Sequence, residues 1–135
     1  MPLVQLSMRL LNEMKKQISP ESGNQKEAKI QLSNFLKFIP EKVNEEIFEE
    51  IVQSENIKIE RIVSCGQSSP ESGWYDQEKS EWVMVLEGKA ILEFEGGNEV
   101  ELDKNDFITI LPHQKHKVKW TDPEQKTIWL AVHFQ

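Results

Sequence analysis

The chain has 135 residues, enough for one domain with a real core. Its 23 Asp and Glu outweigh 16 Lys and Arg, for a net charge of −7, and no basic stripe interrupts the excess, which argues against nucleic acid as a partner. A single cysteine, Cys65, excludes an internal disulfide and suits a cytoplasmic chain. No apolar run approaches the roughly eighteen residues of a membrane span, and Gln5 and Arg9 interrupt the only leader-like stretch.

Leu6, Leu10 and Met14 recur at four-residue spacing and predict a short helix over 1–18. Ser19-Pro20-Glu21-Ser22-Gly23 ends it. Residues 26–37 are helix-compatible, with Ile30, Phe35 and Leu36 as contacts, and residues 1–33 read as a helical arm. Residues 34–56 read as a helix packing on the strands beyond it. Asn44 is placed to cap a helix over 45–53, Glu45 and Glu46 fall in its first turn, and Val43, Ile47 and Ile51 share one face.

From residue 57 onward the period changes to two. Ile57–Ser64 is rich in β-branched residues, and Gly66 to Gly73 is a loop. Residues 81–87 are apolar on both faces, with Val83 and Val85 on one and Trp82, Met84 and Leu86 on the other, so both faces need cover. The outer cover would be the N-terminal segment or a second copy in a homodimer. Residues 89–95 alternate, Gly96-Gly97-Asn98 makes a hairpin turn, and Val100 and Leu102 continue the pattern. Strands follow at 107–111, at 116–120 with His116, Val118 and Trp120 on one face, and at 127–134. Regular short strands and turns over 57–135 predict a sandwich or barrel.

Two blocks in this region, Tyr75 to Gly88 and Asn105 to Trp120, resemble the signature blocks of the cupin superfamily. Glu81 and Gly88 match the Glu and Gly that close the first block. Asn105 takes the place of the Gly that opens the second, Leu111-Pro112-His113 the place of Pro-x-Gly, and His116 that of the metal-ligand histidine. The first-block His-x-His is absent: Tyr75 and Gln77, or Trp74 and Asp76, stand there. The resemblance implies an all-β double-stranded β-helix (jelly-roll) barrel with short N-terminal α-helices. It also implies an interior pocket for a small molecule, with a divalent metal (Mn, Fe, Ni or Zn) as an optional cofactor. An alternative in the same family is a metal-dependent enzyme of the dioxygenase, isomerase or epimerase class.

The residues themselves place Glu81 on the face of Val83 and Val85, where a carboxylate needs a partner. His116 faces inward with Val118. With Gln77 these are the expected metal donors, Tyr75, Asp76 and His113 are further ones, and Trp74, Trp82 and Trp120 are expected pocket walls. A metal-free variant would use His116 as base and Tyr75 as acid. His133 shares a face with Trp129 and Ala131, and alternation alone leaves open which face of that strand is inside.

Overall fold

The structure, a computed structural model, describes residues 29–135. The helix expected over 1–18, and most of the expected arm, lie outside that range. The described residues form eight strands: β1 Ile47–Gln53, β2 Ile57–Ser64, β3 Ser80–Glu87, β4 Ala90–Phe94, β5 Glu99–Leu102, β6 Phe107–Ile110, β7 His116–Thr121 and β8 Thr127–Phe134. The strands from β2 onward fall where the two-residue period puts them.

The helix expected over 45–53 is replaced by β1. Its i, i+4 apolar spacing is outweighed by a tertiary demand, because the outer edge of β2 carries backbone groups that need partners. β1 supplies them in antiparallel register, from Ile47↔Val63 to Gln53↔Lys58, with a bulge between Glu50 and Val52. The buried residue of β1 is Glu49, paired with Arg61 at 2.5 Å. Residues 29–37 are not helical either. A turn at 35–38 is held by Leu36 N–H donating to Asn34 Oδ1, and Arg61 pins it to the sheet by donating to the Phe35 and Lys37 carbonyls at 2.8 and 2.7 Å.

The strands form two sheets, ordered β1-β2-β8-β3-β6 and β5-β4-β7, an order in keeping with a jelly roll. Between them lies a core of Val83, Val85, Ala90, Leu92, Phe94, Leu102, Ile110, Trp129 and Ala131. Burying apolar surface of this kind contributes about 25 cal/mol per Å². Two backbone positions keep the frame closed. Gly88 has φ +92°, and a Cβ there would lie 2.5 Å from Thr127 Cα, so only glycine lets β3 turn beside β8. Asn105 takes φ 71°, the left-handed geometry that asparagine tolerates in place of glycine.

The loop between β2 and β3 extends the smaller sheet. Ser69 pairs with Val118, and Tyr75 with His116, each through two backbone hydrogen bonds. The free edge of β7 is thereby covered, and Tyr75 is laid beside His116.

Candidate functional site

At one end of the sandwich the inner face changes from apolar to polar. The register decides which side chains meet there. His133 on β8 pairs with Lys58 on β2 and with Glu81 on β3, while Ala131 pairs with Glu60 and Val83. Trp129 and Ala131 are buried in the core, so His133, on their face, points inward. Glu60 and Glu81 follow it in.

His133 Nε2 lies 3.0 Å from Glu60 Oε1 and 3.2 Å from Glu81 Oε2. Glu81 Oε1 lies 3.6 Å from His116 Nε2. Nδ1 of His116 is 2.9 Å from the Gln114 carbonyl oxygen, which acts as acceptor and directs Nε2 into the site. The Gln77 amide nitrogen is 3.5 Å from that Nε2. Glu60–His133–Glu81–His116 is thus a continuous line of side chains, with Gln77 at its end. His116 is 3% exposed. Tyr75 and Phe94 flank its ring at centroid distances of 5.6 and 6.1 Å.

Burial alone would lower the His116 pKa. Hydrogen bonding to Glu81 and to the Gln114 carbonyl, with the charge of Glu81, outweighs it, and the net shift is upward. Burial raises the Tyr75 phenol, and the carboxylates of Glu46, Glu81 and Glu60 push the same way, against a smaller opposing effect of Ser69. The phenol is therefore held neutral. Glu46, just before β1, has its carboxyl raised by burial, partly offset by Ser69.

Glu81, His116 and Gln77 thus meet as the sequence suggested, with Tyr75 beside them. The other expected residues lie elsewhere. Asp76 and His113 pair with each other at 2.7 Å on the exposed rim. His113 has φ 60°, as suits a position where the family places glycine. Trp74 is covered by the Lys117 ammonium, 4.3 Å from its ring centroid. Trp82 stacks on Phe107 on the outer face of the larger sheet. Trp120 is 37% exposed, because β7 carries Lys119 as an extra residue opposite the Ile91/Leu92 step and the alternation flips there. The aromatic walls of the site are Tyr75 and Phe94 instead.

Sequence reasoning missed Glu60, Glu46 and the inward direction of His133. The available signal was the face shared by His133, Trp129 and Ala131: two residues that apolar on a barrel's last strand mark the core side. Beside the line of side chains, Gln53, Ser54, Lys58, Gln77, Glu78, Lys79 and His133 line a cleft of ≈ 360 Å³.

This geometry can orient an imidazole, hold a proton between carboxylate and histidine, and present a neutral phenol. As a metal site it is thin. Among the described residues no three His, Cys, Asp or Glu side chains converge into a metal-holding group. The two oxygens of Glu81 are each directed at a different histidine. The donors as arranged do not fit a resident divalent ion.

Comparison with known proteins agrees with the fold. The cupin-domain family matches residues 63–133, more than half of the chain. The chain belongs to the cupin family. Among solved structures, this cupin is 38% identical to a presumed mannose-6-phosphate isomerase from Ralstonia eutropha, over 78% of this chain and 99% of that one, with a TM-score of 0.74. A cupin superfamily protein from Desulfitobacterium hafniense is similar in fold at 16% identity, covering 71% of this chain and 83% of its own, with a TM-score of 0.60. TT1209 from Thermus thermophilus is similar in fold at 14% identity, covering 78% and 97%, with a TM-score of 0.65. No curated protein matches. No helix among the described residues is long and apolar enough to cross a membrane.

Proposed function

We propose that this cupin binds a small polar molecule between its sheets and moves a proton on it, as isomerases and epimerases do. The observation that carries this reading is the unbroken Glu60–His133–Glu81–His116 line, which ends beside a neutral phenol. Proton transfer needs a base and an acid held on one ligand. Glu81, backed by two histidines, serves as the base and takes a proton from carbon or oxygen. Tyr75 supplies a proton to the oxygen where charge develops, and the same groups run in reverse to complete the shift. Gln77 and His116 hydrogen-bond the ligand and fix its orientation. Phe94 and the packed core behind it exclude water from one side.

The Ralstonia relative supports a sugar derivative as the first substrate to try. No step here runs through a metal.

The test is solvent exchange. The protein is incubated in D2O with mannose 6-phosphate and with free mannose, with and without added Mn or Zn, and the carbon-bound hydrogen next to the carbonyl is followed by proton NMR. Exchange that is lost in Glu81→Gln and reduced at least tenfold in His133→Gln is the expected result. Absence of exchange in the wild type, in every condition, overturns the isomerase reading.

A further inference from the structure

The cleft that leads to the site has a charge pattern of its own. Lys58 occupies an inward-facing position on β2, directly opposite His133 on β8 and Gln53 on β1. A lysine on the inner face of a sheet is unusual unless its ammonium reaches water or a partner. Its Nζ lies 3.8 Å from Glu60 Oε2, an ion-pair contact longer than a hydrogen bond, while the other oxygen of Glu60 is held by His133. Lys79, just before β3, also lines the cleft and is fixed by donating to the carbonyl of Glu55, in the β1–β2 turn, at 3.2 Å. That acceptor is neutral, so the charge of Lys79 is not cancelled by the contact. Ser54 and Gln77 add neutral polar groups, and His133 forms the floor. Glu78 is the opposing charge on the cleft.

We infer that Lys58 and Lys79 form an anion-binding rim, and that the ligand is a small polyhydroxylated molecule carrying one phosphate or carboxylate group. This rests on the proposed function and narrows it. The anionic group sits between the two ammonium groups, and the hydroxylated body lies inward against Gln77, His133 and Glu81. The order follows from charge: the interior carboxylates Glu46, Glu60 and Glu81 repel an anion, so the anion stays at the mouth and the neutral part enters. A volume of ≈ 360 Å³ is at the small end of ligand sites and suits a single sugar-sized body. An anchored anion fixes the reacting carbons against the imidazole line, which is what a positioning group contributes to rate.

Calorimetric titration of the full chain with glucose 6-phosphate, gluconate, glucose and inorganic phosphate tests this. Wild type, Lys58→Gln, Lys79→Gln, the double variant and Glu78→Gln are compared, with thermal melting as a check on folding. The expected result is tighter binding of glucose 6-phosphate or gluconate than of glucose. Each lysine substitution should weaken that binding roughly tenfold, as expected for a lost charge-assisted hydrogen bond, and Glu78→Gln should strengthen it. Raised salt should weaken wild-type binding and leave the double variant unchanged. Preference for the phosphate or the carboxylate compound names the anionic group. Glucose bound as tightly as its anionic relatives, with no effect of either lysine, overturns the rim and leaves the proposed function standing. Inorganic phosphate bound as tightly as glucose 6-phosphate also overturns it, because the sugar body would then make no contact. Failure of every sugar to bind the wild type removes the ligand reading itself.

Discussion

His133 and Glu81 face each other across the β3–β8 pair, with Nε2 3.2 Å from Oε2, and the same imidazole nitrogen lies 3.0 Å from Glu60 on the far side. One histidine therefore separates two carboxylates. His133→Ala leaves Glu60 and Glu81 without their shared partner in a half-buried space, and we expect a loss of about 1–3 kcal/mol at pH 7. Urea unfolding of the two proteins measures it.

The His116 pKa is raised in the folded protein. A base whose folded pKa lies above its unfolded value stabilises the fold fully below the unfolded pKa, about 6.5, and that stabilisation is lost as pH rises through the folded pKa. Glu46 acts in the same direction, because a carboxyl raised by burial opposes folding once pH exceeds its unfolded value, near 4.5. Wild type should therefore lose more stability than His116→Gln between pH 6 and pH 8.5. The imidazole proton resonances of His116 should titrate above 6.5. Equal pH slopes for the two proteins would contradict the pairing with Glu81.

Titration with Mn, Fe, Ni and Zn tests the metal reading. With each oxygen of Glu81 already directed at a different histidine, we expect binding no tighter than micromolar. His116→Ala should abolish whatever binding occurs, because it removes the nitrogen donor that faces Glu81 and Gln77. Melting temperature should respond to the metal in wild type and not in the variant. Unchanged binding in His116→Ala would place the ion elsewhere.

The outer face of the larger sheet carries Ile59, Leu130, Val132, Trp82, Met84 and Phe107 in one register, with Phe107 62% exposed. We expect a second copy to cover it in a homodimer. Light scattering should give twice the 15.8 kDa of the chain, and Phe107→Glu should shift the population toward monomer. A wild type that stays monomeric at high micromolar concentration would rule this out.

Strand positions from β2 to β8 were legible because two-residue alternation and Gly- or Asp-rich turns are local properties of a chain. Glu81 and His116 were legible for the same reason, each sharing a face with valines. Local patterns also misled. In β1 the spacing of Val43, Ile47 and Ile51 suits a helix, and only the unpaired edge of β2 makes it a strand. On β2 the more apolar face, Ile57 and Ile59, points outward, and the face bearing Lys58, Glu60, Ile62 and Ser64 points inward. Amphipathic reasoning assumes that one face meets water, and here the outer face is also covered in part, by the turn that Arg61 holds. Trp120 was lost to a bulge, which depends on pairing with β4 and leaves no mark in β7 alone. Period and turn chemistry determined that residues 57–135 form a sandwich or barrel of short strands with a histidine and a carboxylate inside. Cross-strand register alone decided that Glu60, His133, Glu81 and His116 form one line, because residues 73 positions apart become neighbours only when β2 and β8 pair.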